Sequence, residues 1–182
     1  NDWIKYGIGY CTEGKYEDRS IIPSFNENNM LNYFVARSLN PEAYNKYLNP
    51  EAHKDEIICF ENFIDWSKPV IICEGMFDAM AVKRNCTCLL GKRMSKALLQ
   101  KLIENPVPEI YLVLDQDARK TAIEVCWTLL ELGKKVYFVT PPKKDPSETG
   151  FQLMTKTLQY AEELTLRRLL ELKIESQYGN RN

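Results

Sequence analysis

Val70-Ile71-Ile72-Cys73-Glu74-Gly75-Met76-Phe77-Asp78 decides how this chain is read. Four apolar residues in a row suit a strand buried on both faces, and the polar turn that follows opens onto a helical pattern from Phe77 to Lys83. The same grammar repeats downstream. Thr87 to Leu90, Ile110 to Leu114 and Val136 to Val139 read as further buried strands, alternating with helices over Lys96 to Glu104 and Ala118 to Leu132. Asn105-Pro106, Pro108 and Gly133 stop the helices where the pattern requires. Strand and helix in alternation predict an α/β unit with a mainly parallel central sheet from Pro69 to about Glu148.

Acidic residues then fall where strands end. Glu74 follows the first strand, Asp115 and Asp117 follow Ile110 to Leu114, and Asp145 lies just beyond Val136 to Val139. Ligands of an open parallel sheet bind beyond the carboxyl ends of its strands, so these carboxylates should converge. Crowded carboxylates repel unless a cation lies between them, and hard oxygen donors favour Mg²⁺, with Mn²⁺ able to substitute. The pattern predicts metal-dependent phosphate chemistry, against the simpler alternative of solvated acids at strand ends. Gly75 is expected to let the backbone approach the metal-phosphate region.

Outward from this unit the sequence changes character. Ser20 to Phe25 and Met30 to Ala36 are short β-like runs joined by Asn26-Glu27-Asn28-Asn29, which predicts an antiparallel hairpin. Asn40-Pro41, Asn49-Pro50 and Glu51 to Glu56 read as exposed connections, with a boundary near Ser67-Lys68-Pro69. After Gly150, leucines interleaved with charges predict an amphipathic helix or helical pair to about Ser176. The expected organisation is therefore a small mixed α/β lobe over residues 1–68, the β/α domain over 69–150 and a helical segment over 151–182.

Composition sets the outer bounds. With 182 residues, 45% hydrophobic and 27% charged, the chain can bury a sizeable core, and it has no apolar run long enough for a bilayer. Cys11, Cys59, Cys73, Cys86, Cys88 and Cys126 form no C-x-x-C pair, and His53 has no thiol at zinc-finger spacing, so reduced cysteines in a cytoplasmic protein are expected. A net charge of −1 does not advertise nucleic-acid binding, although acids that hold metal can mask a basic surface nearby. A start at Asn1 within folded-looking sequence reads as a piece of a longer polypeptide.

Glu74-Gly75 with Asp78, followed by Asp115-Gln116-Asp117, resembles the Toprim domain shared by DnaG-type primases, type IA and II topoisomerases, OLD-family nucleases and RecR-type proteins. Tyr6-Gly7-Ile8-Gly9-Tyr10, Asp18 to Pro23, Phe34 to Arg37 and above all Lys46-Tyr47-Leu48-Asn49-Pro50 resemble the N-terminal lobe of the DnaG-type RNA polymerase core. The resemblance implies a DNA primase that makes short RNA primers on single-stranded DNA from ribonucleoside triphosphates, alongside a replicative helicase, fused or separate. It implies that Glu74, Asp115 and Asp117 hold catalytic metal with Asp78 and Asp145 in support. Arg19, Arg37, Lys46, Tyr47, Asn49 and Lys144 would face nucleotide or template, and arginine forks and lysine charges suit phosphates on chemical grounds alone.

The pattern also departs from the family. Gln116 replaces a small residue, Arg119-Lys120 stand where a second glycine is expected, and Ser147 follows Lys144-Asp145-Pro146 where an aspartate is common. These departures favour a phage or mobile-element member, in which the host cytoplasm would be the site of action. The alternatives are a Toprim nuclease using the same acids, which would not need the Lys46 to Asn49 box, and a RecR-like DNA-binding scaffold, which would not need the intact acid set.

Overall fold

The computed structural model describes residues 2–91, 93–115 and 118–178. After a short helix α1 (Asp2–Tyr6) come β1 (Gly9–Cys11), β2 (Arg19–Phe25) and β3 (Leu31–Ser38), which form one antiparallel sheet in that order. The predicted hairpin is β2–β3, and its turn is built by Asn26, whose Oδ1 accepts from the N–H groups of Asn28 and Met30, both at 3.0 Å. Asn29 takes the left-handed conformation there at φ 57°, which asparagine tolerates. The third strand, β1, was not expected from the sequence.

Beyond Pro69 follow β4 (Val70–Cys73), α2 (Met76–Val82), β5 (Cys86–Cys88), α3 (Lys96–Glu104), β6 (Ile110–Val113), α4 (Arg119–Glu131) and β7 (Val136–Val139). The strands form a parallel sheet ordered β5-β4-β6-β7, so the fold is α/β as predicted, with a smaller antiparallel lobe. Ser95 caps α3 by accepting from Leu98 N–H at 3.1 Å. Gly133, at φ 68°, turns the chain out of α4 in a conformation that favours glycine.

Strand alternation assigns the two faces of the parallel sheet. Ile71, Cys73, Val113, Tyr137 and Val139 point to one side, where they join Met76 and Ala79 of α2, Tyr6, Ile22, Tyr33 and Val35 of the antiparallel lobe, and Met154 and Leu158 of α6 (Phe151–Gln159). Val70, Ile72, Ile110, Leu112 and Val136 point to the other, against α3, α4 and Leu169 and Leu172 of α7 (Leu166–Tyr178). A short helix α5 (Pro146–Thr149) precedes α6. Between α6 and α7 the chain runs beside β7, with Leu164 N–H donating to Val136 O at 2.7 Å, so the C-terminal helices are a pair split by a strand-like contact.

Ile57, Ile58, Cys59 and Phe60 are buried although they belong to no strand or helix. Side chains from elsewhere satisfy their backbone. Ser95 Oγ donates to Ile57 O at 2.9 Å, Asn32 Nδ2 to Ile58 O at 3.0 Å and Thr87 Oγ1 to Cys59 O at 2.8 Å, while Phe60 N–H donates to Ser24 Oγ at 2.9 Å. All six cysteines are free thiols, and only Cys11 among them is not buried. No helix among the described residues is long and apolar enough to cross a membrane.

Candidate active site

Three connections at the carboxyl end of the parallel sheet bring four of the predicted acids together. Glu74 leaves β4, Asp78 lies in the first turn of α2, Asp115 follows β6, and Asp145 precedes α5. Their proximity shows in the Asp78 carboxyl, which is raised from 3.8 to about 7 by burial and by the negative charges of Asp115, Asp145 and Glu74. The N–H of Ser147 donates to Asp78 Oδ1 at 3.3 Å and opposes that rise. Glu74 Oε2 and Asp115 Oδ1 are sealed from solvent.

Asp145 has a different environment. Burial raises its pKa, but hydrogen bonds from Glu148 N–H at 2.7 Å and Ser147 Oγ at 2.8 Å, with the Lys144 charge, bring it below its ordinary value. It is the N-cap of α5, followed by Pro146 in the first turn, so local geometry explains its position. Gly75 has φ −126°, open to any residue, and a Cβ there would meet Asp78 Oδ2 at 3.5 Å, which is ordinary contact. The protein's own packing therefore does not demand glycine at this turn.

Asp117 and Gln116 lie outside the described residues. Among the described residues no three His, Cys, Asp or Glu side chains form a group able to hold a metal ion by themselves. The chemistry of the donors nevertheless fits Mg²⁺, because Glu74, Asp78 and Asp115 offer hard carboxylate oxygens, and the repulsion that adds to burial in raising Asp78 is what a cation would relieve.

The antiparallel lobe meets the turn that carries Asp78 through Arg37 and Tyr47. The segment Lys46 to Asn49 runs beside β3, with Ser38 N–H donating to Lys46 O and Leu48 N–H to Ala36 O, both at 2.9 Å, and Ala36 N–H to Asn49 Oδ1 at 3.3 Å. Arg19 fixes this segment by donating to Lys46 O at 3.3 Å and Asn45 O at 3.0 Å. Arg37 lies over two rings, 4.7 Å from the centroid of Phe77 and 5.6 Å from that of Tyr47. Phe77 immediately precedes Asp78, so this stack joins the basic lobe to the acid centre. Sequence reasoning did not single out Phe77, although its place in the Glu74-Gly75-Met76-Phe77-Asp78 turn was a usable signal. The Lys46 and Lys144 side chains are exposed.

Residues 71–149, the stretch that contains all the predicted acids, match the family described as Toprim-like. This segment is thus similar to that family, in keeping with the resemblance that its sequence carries. The whole chain, in turn, has the fold of DnaG primase catalytic cores. It superposes on the E. coli primase catalytic core with a TM-score of 0.70 at 20% identity, covering 97% of this chain and 64% of that one. A DnaG primase catalytic domain bound to single-stranded DNA gives 0.68 at 20% identity, covering 96% and 64%. A chain from the bacteriophage T7 structure of a lagging-strand DNA polymerase with primase domains of two gp4 subunits, an RNA/DNA hybrid and dTTP gives 0.67 at 17% identity, covering 90% and 87%. The chain thus spans a little under two thirds of the first two structures. Against curated proteins the sequence has no match.

Proposed function

We propose that this chain is the catalytic core of a DNA primase, which joins ribonucleotides into short RNA primers on a single-stranded DNA template. The observation that carries the proposal is the convergence of Glu74, Asp78, Asp115 and Asp145 beside Arg37 and the Lys46 to Asn49 segment. Glu74, Asp115 and Asp117 would hold Mg²⁺ or Mn²⁺, with Asp78 and Asp145 behind them. Bound there, the ion would lower the pKa of the attacking 3′-hydroxyl and offset charge on the phosphate undergoing substitution.

The remaining work falls to the chain's own groups. Arg37, held on Phe77 and Tyr47, presents a guanidinium next to the Asp78 turn, where it can fork onto a phosphate. Lys46 supplies a point charge, while Arg19 and Asn49 keep its segment against β3. Lys144 adds positive charge beside Asp145. The single-stranded DNA of one structural neighbour and the RNA/DNA hybrid and dTTP of another agree with this choice of partners. We place the reaction in the cytoplasm, alongside a replicative helicase, fused or separate, and favour a phage or mobile-element source.

A Toprim nuclease would use the same acids but has no need of the Arg37, Tyr47 and Lys46 arrangement. One gel separates the readings, with labelled ribonucleotides, single-stranded DNA of mixed sequence and Mg²⁺ or Mn²⁺. Template-dependent short RNA that disappears in Glu74→Ala and Asp117→Ala is the expected result. Shortened DNA without RNA would replace the primase by the nuclease.

A further inference from the structure

A pocket of about 470 Å³ opens beside the acid centre, lined by Asp115, Arg119, Thr140, Arg168 and Glu175 among others. Arg119 opens α4, at the place where the Toprim pattern expects small residues, and Arg168 comes from α7. Two elements distant in sequence therefore bring two guanidinium groups to the pocket that Asp115 also lines. Glu175 bridges them. Its Oε2 accepts from Arg119, and its Oε1 accepts from Arg168 at 3.1 Å. Arg168 also reaches Glu171 at 3.2 Å. Arg119 Nε is buried and makes no hydrogen bond with any described residue, so its fork is only partly used.

A carboxylate held between two guanidinium groups occupies the position and charge that a phosphate edge would take. We infer that this pocket is a polyphosphate site, in which Glu175 stands in for a phosphate group and is displaced when the triphosphate of a nucleotide, or pyrophosphate, enters beside Asp115. The arginines converge on a single carboxylate and do not line a track, which favours a compact polyphosphate over a nucleic-acid strand. Asp115 at the wall repels a bare anion and favours one that arrives with a cation. The nucleotide in this inference rests on the primase reading, whereas the arginine-dependent capture of polyphosphate does not.

Titration calorimetry with sodium tripolyphosphate, once with Mg²⁺ and once with EDTA, tests the site. Glu175→Gln should tighten binding and Arg168→Gln weaken it, each by about ten-fold, the size expected for one charge-assisted hydrogen bond. Arg168 is exposed on α7, so its replacement keeps the test valid even if Arg119→Gln does not fold. An oligodeoxythymidine control should not respond to Glu175→Gln. Unchanged or weaker tripolyphosphate binding in Glu175→Gln would reduce Glu175 to a brace for α7 and overturn the inference. Tightening for the oligonucleotide alone would overturn it in favour of a strand site. Arginine-dependent binding in a protein that makes no RNA would keep the site and remove only the primase reading. RNA synthesis without arginine dependence of binding would do the reverse.

Discussion

Replacing Asp78 by Asn tests the acid centre without reference to turnover. In the metal-free protein this carboxyl is raised from 3.8 to about 7, by burial first and then by Asp115, Asp145 and Glu74. A group with a raised folded-state pKa keeps its proton after the unfolded chain has lost it. Its stabilisation is complete below 3.8 and disappears as pH rises through about 7. A tenfold change in proton affinity is worth about 1.4 kcal/mol, which sets a ceiling of about 4 kcal/mol across the window. Asp78 is only partly buried, and solvent and side-chain relaxation reduce that to about 1–2 kcal/mol. The amide of Asp78→Asn still offers an oxygen to Ser147 N–H, so the substitution removes charge with little change of shape. Denaturant unfolding in EDTA at pH 5 and pH 8, an interval that spans about two thirds of the window, should show the wild type losing about 1 kcal/mol more than the variant. Adding Mg²⁺ at pH 8 should restore the wild type and move the variant less. Parallel pH profiles in EDTA would refute the convergence of the carboxylates, and a wild type indifferent to Mg²⁺ would refute their assignment to metal.

Further predictions concern the supports of the site. Thr87→Val removes the buried hydroxyl that satisfies Cys59 O at 2.8 Å and should cost about 1–3 kcal/mol in urea unfolding; a loss within error would mean the carbonyl finds another partner. Asp145→Ala removes the cap of α5 and should cost about 1 kcal/mol, most of it regained in Asp145→Asn, whose oxygen can still accept from Glu148 N–H; equal melting of the two variants would contradict a capping role. Arg37→Ala and Phe77→Leu, taken singly and together, should show a coupling of about 0.5–1 kcal/mol in unfolding, and strict additivity would mean that the stack does not hold Arg37.

What the sequence disclosed tracks how local the physics is. β4, β6 and β7 are continuous apolar runs, α3 carries its own cap in Ser95, and Asn105-Pro106 and Gly133 stop α3 and α4, so both type and position could be read from residues a few places apart. Glu74, Asp78, Asp115 and Asp145 followed, because strand ends in a parallel sheet share one edge. Ile57 to Phe60 was illegible for the opposite reason. Its polar groups are met by Ser24, Asn32, Thr87 and Ser95, each far away in sequence, so no periodicity marks it as core. β1 is three residues long and too short to carry an alternation, and the split between α6 and α7 depends on Leu164 meeting Val136. Phe77 and the Arg119, Arg168 and Glu175 bridge are likewise products of the assembled fold.

Core packing also holds the basic lobe and the acid centre in a fixed relation. The antiparallel lobe shares one face of the core with β4, β6, β7 and α2, through Tyr6 of α1 and Ile22, Tyr33 and Val35 of its sheet on one side and Ile71, Cys73 and Met76 on the other. Sliding one sheet over the other would open cavities in that shared layer, at a cost of about 2–5 kcal/mol for each large side chain left unpacked. Phe77 projects from the same helix that sets Asp78, and it meets Arg37 and Tyr47 at the rim of the layer. The separation between a guanidinium that could receive phosphate and the carboxylates that could receive metal is therefore set by the side chains of this layer. The exposed connection from Asn49 to Glu56 need only span the distance.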